Sequence, residues 1–407
     1  MKLNNKQIKT IKMISIALLI ILVLELIYFG YKYYKTRKET TYYTITNDLV
    51  VKDNTYIGVG LSDFKNSKYT KKNIYNKATI WEYNNDFKAV KENYIDLGYN
   101  SYFNSIIEIE DGYVAVGAIE MNETQHEEGT TEGLLVKYDK DFNILWRKNI
   151  QVLDDTEFTY VKLDKDNNLI VVGQSIYAKN IIGNQTTGGA MLFKFNLEGE
   201  ELFRLNYGGP QTGIFNDVYI EDDGYVVVGA TKTSTGIIQK YDFKGKELWH
   251  NYYGPTDTSG LTRIVKVDDY YLTLGTLLPS KDNKTKYKGA IVKYDENGKK
   301  IDEVLYEKDY LNKFRDIYVD KDNILVVGTY GKGKNDEVLT DAMIIRYDKD
   351  FKIVKEEFLS LENSESYNKI YKKDNKYLIL GFTNSKYKKF KTNGYDYFPL
   401  LEEYKIN

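Results

Sequence analysis

The side chains able to do chemistry are few, and their spacing narrows them further. The 407 residues contain no Cys and two His, His126 and His250. Disulfides, thiolate zinc sites, a cysteine nucleophile and a lipid-modified N-terminal Cys are therefore excluded, and little is left for His-based metal or acid–base chemistry. Ser62-Asp-Phe-Lys65 and Ser385-Lys-Tyr-Lys388 have Ser-x-x-Lys spacing, but in loops rather than on helices. Asp164-Lys-Asp166-Asn-Asn168 and Asp320-Lys-Asp322 begin like calcium loops and lack the later Gly and Glu; Asp and Asn also serve left-handed turn geometry. No nucleophile with an adjacent base, carboxylate pair or metal cluster is localised, so the sequence names no catalytic residue, no metal ligand and no cofactor. What does recur is a polar pair: Asn47/Asp48, Asn104/Ser105, Thr159/Tyr160, Asn216/Asp217, Thr262/Arg263, Arg315/Asp316 and Asn368/Lys369.

Each pair lies at the start of a strand in a repeated unit. An apolar run ending in Gly returns at Gly60, Gly117, Gly173, Gly229, Gly275, Gly328 and Gly381, at intervals of 46 to 57 residues. Each unit reads the same way. A first strand (Phe215–Ile220, Phe314–Val319) is followed by a tight Asp/Asn/Gly turn and then the apolar strand ending in Gly. After a variable loop comes a third strand ending in an aromatic residue plus Asp or Asn, then a short turn and a fourth strand such as Phe142–Asn149 or Gly245–Tyr253. Short β-rich segments with turn residues at each junction predict antiparallel meanders. One meander cannot cover both its faces, and radial packing of several does so while leaving only short edges. The sequence thus predicts an all-β, seven-bladed β-propeller of four-stranded antiparallel blades over residues 41–407. The last unit supplies three strands (Tyr367–Lys372, Tyr377–Phe382, Leu400–Lys405), and Thr40–Ile45 is the candidate for its missing outer strand.

Ahead of the repeats, Met13 to Tyr31 is a 19-residue apolar run with one charge, Glu25. As a helix it would span ~28 Å, close to the ~30 Å of a bilayer's hydrocarbon core. A basic leader (residues 1–12) precedes it, aromatic residues crowd its far end, and no small-x-small cleavage site follows. These features predict an uncleaved signal-anchor transmembrane helix at 13–31, a linker at 32–40, and the repeats on the extracytoplasmic side. Basic residues flank both ends equally, so orientation rests on the short leader. The charge balance, 57 Lys+Arg against 59 Asp+Glu, argues against a nucleic-acid partner.

The segments Tyr241–Trp249 (YDFKGKELW), Phe195–Phe203 (FNLEGEELF) and Asp223–Gly229 (DGYVVVG) resemble the repeat of the bacterial quinoprotein-like propeller superfamily. The resemblance covers all seven units and is a scaffold motif. Its quinone-dependent dehydrogenases use an adjacent cysteine pair at the cofactor, which this chain lacks. What remains similar is the non-catalytic, membrane-anchored group, whose known members include envelope proteins that bind or help assemble other proteins.

Long variable loops (61–77, 118–132, 174–188, 276–288, 329–340, 382–397) fall on the face where the polar pairs open onto the central channel. Insertions confined to one face mark the binding face of a repeat protein. The candidate ligand-binding residues at this channel mouth are Asn47, Asp48, Asn104, Asn216, Asp217, Arg263, Arg315, Asp316, Asn368 and Lys369. The same side chains would equally tie loops to strands through local hydrogen bonds. The expected function is a membrane-anchored binding or scaffold module for an envelope protein, a peptide or a cell-wall polymer. The alternative is a glycan hydrolase or lyase using Asp48, Asp217 and Asp316.

Overall fold

The computed structural model describes residues 41–64, 75–97, 99–121, 130–176, 188–209, 213–231, 233, 235–254, 259–278, 287–320, 322–332, 339–384 and 398–406. The predicted membrane segment at 13–31, its flanks, His126, Ser385–Lys388 and most of the long loops lie outside these residues. Among the described residues no helix is long and apolar enough to cross a membrane.

The described chain is all-β. Its 27 strands form six antiparallel sheets: four of four strands, one of eight and one of three. The eight-stranded sheet is two four-stranded meanders joined by one parallel bridge, Thr131 to Asp155. Every strand otherwise pairs with its sequence neighbour, so the chain reads as consecutive meanders at 41–94, 101–150, 155–209, 213–253, 259–306, 311–359 and 365–404. This is a propeller-type arrangement.

Burial peaks in the second and third strands of each meander and is least in the fourth, which explains the composition of the repeat. The second strand Gly112–Met121 (GYVAVGAIEM) is buried at its first eight positions. Strands covered on both faces lose the in–out alternation and read as continuous apolar runs. The fourth strands, such as Ile144–Ile150 and Lys300–Tyr306, are exposed or half-buried along most of their length.

Apolar clusters join each meander to the next. One holds Val59 and Ile80 of the first with Phe103 and Ile106 of the second; another holds Ile324 and Val326 of the sixth with Leu272 and Leu274 of the fifth. The last meander returns to the first, where Leu378, Leu380 and Leu401 pack on Leu49, Tyr56 and Trp81. Full burial of each such side chain contributes roughly 1.5–3 kcal/mol, so the stability of any one meander resides largely in its neighbours.

The chain start corrects one sequence expectation. Thr41–Val51 is the first strand of the first meander, paired with Thr55–Phe64 from Thr41↔Phe64 to Val51↔Tyr56. It is therefore not the outer strand of the last meander, whose third strand, Phe398–Tyr404, pairs on one side only among the described residues. Thr41–Val51 is held along its length by Thr55–Phe64 as the edge strand of the first meander.

The turns between third and fourth strands also differ from expectation. Phe142, assigned by its apolar character to a strand, sits in the turn with φ 66°, and the strand begins at Ile144. Asp139 Oδ1 accepts from the amides of Asp141 and Asn143 at 2.8 Å each, and the same pattern returns at Asn84, Asn196, Asp242, Asp295 and Asp348. The left-handed residue of each turn is Gly (Gly199, Gly245, Gly298) or Phe (Phe87, Phe142, Phe351). The choice follows the neighbour. Where the preceding fourth strand carries an aromatic residue (Trp146, Phe203, Trp249), its ring occupies the space in which a Cβ on Gly199, Gly245 or Gly298 would lie. Where that strand carries Lys91 or Asp302 instead, or where no preceding fourth strand is described, Phe stands in the turn.

Candidate functional site

The repeat glycines build the site. In all seven first strands the pairing register shifts by one residue opposite the glycine: Thr46↔Gly60, Phe103↔Gly117, Phe158↔Gly173, Phe215↔Gly229, Leu261↔Gly275, Phe314↔Gly328 and Tyr367↔Gly381. The residue left unpaired is in turn Asn47, Asn104, Thr159, Asn216, Thr262, Arg315 and Asn368. A β-bulge bends its strand inward and turns the extra side chain out of the ladder, and it forces the partner backbone close. A Cβ on Gly229 would lie 1.8 Å from the Ile214 carbonyl oxygen, and one on Gly60 1.9 Å from that of Ile45. Glycine is required there by steric exclusion.

The seven bulge residues converge on a cavity of about 430 Å³, together with Glu157, Arg263, Lys369 and Phe382. Of the ten residues singled out from sequence, Asn47, Asn104, Asn216, Arg263, Arg315, Asn368 and Lys369 line this cavity. Asp48, Asp217 and Asp316 do not; they follow the bulge by one residue and are turned between neighbouring first strands. Asp48 accepts from the amide of Leu49 at 3.1 Å and from the amide of Ile106 in the next meander at 3.1 Å. Asp217 repeats this on Val218 (2.7 Å) and Ile264 (3.1 Å), and Asp316 accepts from Ile370 at 3.0 Å. The bulge residues themselves staple in the same direction. Asn47 donates to the Phe103 carbonyl at 2.7 Å, Asn104 to Phe158 at 2.8 Å, Thr159 to Phe215 at 2.6 Å and Asn216 to Leu261 at 2.8 Å. These bonds reach from one meander to the next, rather than from loop to strand as expected from sequence.

Below the bulges a charged layer crosses the channel. Lys369 Nζ lies 3.7 Å from Asp48 and 4.5 Å from the centre of the Tyr160 ring, whose face also carries Arg263 at 5.1 Å. Arg263 Nε in turn donates to Asp316 at 3.2 Å, Lys162 pairs with Asp217 at 3.1 Å, and the Tyr371 hydroxyl donates to Asp48 at 2.7 Å. Residues of the first and of the third to seventh meanders thus meet, and their side chains close the channel below the cavity.

Electrostatics follow from this packing. Burial works against the Arg263 charge, yet Asp316 and Asp217 more than offset it and hold the guanidinium above its ordinary value. Burial and then Arg263 push Lys369 down. Burial and then the Asp48 carboxylate hold the phenols of Tyr160 and Tyr371 protonated far above their usual range. Arg315 is depressed by its surroundings and by Arg263, although its side chain reaches the water of the cavity.

Sequence reasoning did not single out Glu157, Lys162 or Tyr371. Glu157 lines the cavity and accepts from Asn104 at 3.1 Å and Gln174 at 3.2 Å. Lys162 and Tyr371 each stand three residues after a bulge, a position held by Val50, Ile107, Tyr219, Val265 and Tyr318 elsewhere. Knowing that the glycine marks a bulge would have identified them. The Asp164 segment, which resembles a calcium loop in sequence, is an Asx turn: Asp164 Oδ1 accepts from Asp166 and Asn168 amides at 2.9 and 2.8 Å, and Lys194 pairs with Oδ2 at 2.8 Å.

No protein-family model matches the chain. No curated protein matches it by sequence. Among solved structures it is similar to a lignostilbene dioxygenase from Pseudomonas brassicacearum (11% identity, 82% of this chain and 85% of that one, TM-score 0.46) and to YjhT (12%, 77% and 98%, TM-score 0.38). It is also similar to a puromycin hydrolase (9%, TM-score 0.43), covering 83% of this chain and 58% of that one. Likeness at this level carries no argument about activity.

Proposed function

We propose that residues 41–407 form a seven-bladed β-propeller that recognises a partner or ligand non-covalently at the bulge-lined mouth of its channel. The apolar run at 13–31 anchors it in the membrane, and the propeller stands on the extracytoplasmic side. One observation carries the binding reading: seven registers shift at the same place, and each shift delivers a polar side chain to one blind cavity. A repeat selected for stability alone has no need of seven bulges, because each breaks its ladder and six of the seven exclude a Cβ at the facing glycine. The lining offers amide, hydroxyl and guanidinium groups, with Arg263 and Lys369 balanced from below by Asp316 and Asp48. Such a surface suits polar recognition of an envelope protein, a peptide or a cell-wall polymer.

The hydrolase or lyase alternative draws less support from the same geometry. Glycoside hydrolysis ordinarily needs two carboxylates facing the substrate across the scissile bond. Asp48, Asp217 and Asp316 are spent on backbone amides of neighbouring strands, and Glu157 is the one carboxylate lining the cavity among the described residues. Replacing the three aspartates therefore does not separate binding from catalysis cleanly, since it also unfastens adjacent meanders.

A photo-crosslinking residue placed at Thr262, on the ring, is the direct test, with Val354 on an exposed outer strand as control. In intact cells carrying the full chain, the ring position gives a discrete adduct that the outer strand does not. Equal labelling from both positions refutes a binding site at the channel mouth.

A further inference from the structure

The ring is not uniform, and its irregular sector points to a ligand chemistry. From the first meander to the fourth, each bulge side chain donates to the next meander's backbone carbonyl. The series then stops. Thr262 Oγ1 sits 3.4 Å from the Leu274 carbonyl of its own meander, and Asn368 accepts from Ser366 at 2.9 Å. Between them stands Arg315, which makes no hydrogen bond or ion pair among the described residues. Asparagine occupies four of the seven equivalent positions, so the scaffold does not call for arginine here.

Ion pairing isolates the same residue. Beneath the ring, Lys162, Arg263 and Lys369 are matched by Asp217, Asp316 and Asp48. Glu157 in the same lining makes the carboxylates equal in number to the cations, but it is held by Asn104 and Gln174 and forms no ion pair with Arg315. Arg315 is left without an ion-pair partner among the described residues, in a concave site that weakens water's screening. The hydrogen-bonding surface around it is complementary in kind. Asn47, Asn104 and Asn216 line the cavity, each gives an N–H to a carbonyl, and no hydrogen bond among the described residues engages their side-chain oxygens. Those oxygens ask for N–H or O–H donors on a ligand.

Resting on the proposal that the mouth is a binding site, we infer that its ligand is the C-terminus of a polypeptide, with its carboxylate on Arg315 and its terminal N–H groups on the asparagine oxygens. A guanidinium pairs a carboxylate through two parallel bonds. The blind floor admits a chain end and not a polymer threading through. A polypeptide C-terminus combines one negative charge, an end and, unless it finishes in proline, adjacent N–H donors. An internal acid of a glycan chain lacks the end.

The test uses the purified full chain and acetyl-Ala-Ala as its free acid and as its C-terminal amide, with glucuronic acid and inorganic phosphate as competitors, read by ligand-observed NMR. The free acid binds, and the amide binds about tenfold more weakly or worse. Arg315→Asn, which restores the residue found elsewhere on the ring, removes that difference while leaving the unfolding midpoint unchanged. Equal binding of acid and amide, unaltered binding by Arg315→Asn, tighter binding of glucuronic acid or phosphate, or no binding of the acid at about 10 mM each overturns the inference. The underlying reading fails separately. If the Thr262 crosslink persists in Arg315→Asn, the mouth binds something other than a carboxylate; if no Thr262 adduct forms at all, the mouth is not the site.

Discussion

Gly229→Ala and Gly275→Ala are the same substitution at equivalent places in two meanders, yet the structure separates them. At Gly229 the new methyl group would lie 1.8 Å from the Ile214 carbonyl oxygen, more than 1 Å inside the 3.4 Å at which ordinary contact begins. The obstacle is backbone, so the sheet must straighten the bulge at Asn216. Straightening releases Asn216 from the Leu261 carbonyl and Asp217 from the Ile264 amide, both bonds to the next meander. Overpacking costs about 1–3 kcal/mol. The lost neutral and charge-assisted bonds add about 1 and about 1.5–3 kcal/mol, giving a total of about 4 kcal/mol or more. At Gly275 the nearest atoms are the Gly260 oxygen, Leu261 Cδ2 and Tyr253 Cε1, all at 3.2 Å. A shift of a few tenths of an ångström accommodates the methyl group, at a cost below about 1 kcal/mol. Urea unfolding of the full chain, followed by fluorescence of Trp81, Trp146 and Trp249, measures the two changes in one experiment. A gap of about 3 kcal/mol between the variants is expected. Equal destabilisation, or a milder effect at Gly229, refutes the argument that the glycines exist to make room for bulges.

Three further outcomes follow from the packing. Tyr371→Phe removes a hydroxyl that donates to Asp48 and accepts from the Leu49 amide at 2.9 Å, fastening the last meander to the first. It lowers stability by about 1–3 kcal/mol, and limited proteolysis then cuts the terminal meanders first. Gly298→Phe alone is destabilising because the Trp249 ring occupies the space, with an atom 2.3 Å from where the new Cβ would lie. Combined with Trp249→Asp, which reproduces the Asp302/Phe351 pairing of the next two meanders, a double-mutant cycle shows favourable coupling of about 1 kcal/mol or more. Finally, burial holds the phenols of Tyr83, Tyr138, Tyr160, Tyr294, Tyr347 and Tyr371 protonated well above their usual value near 10. Below that pH folded and unfolded chains bind the same tyrosine protons. Above it the unfolded chain alone releases them, so stability falls by about 1.4 kcal/mol per pH unit for each. Tyrosinate absorbance and loss of β-structure therefore rise together just above pH 10; ionisation of these residues without unfolding contradicts the burial argument.

The sequence by itself determined the all-β class, the order of strands within each unit and which junctions are turns, though not where each turn ends. Those features depend on local properties: apolar runs that survive burial on both faces, Asp and Asn whose side chains cap three-residue turns, and glycines at fixed places. It also brought out the polar residues that the bulges now account for, because the repeat makes equivalent positions visible without a structure. Tertiary structure decided what each does. Asn47 and Asp48 are adjacent in the chain, yet one lines the cavity and the other clamps a neighbouring strand, since a one-residue shift in register sends consecutive side chains to different surroundings. Phe142 reads as strand and sits in a left-handed turn because the preceding meander offers Lys91, not an aromatic ring, at the facing position. Lys369 and Asp48, more than three hundred residues apart, meet only because the last meander packs on the first. Contacts of that kind depend on which backbones are brought together, and a local pattern of residue types does not encode that.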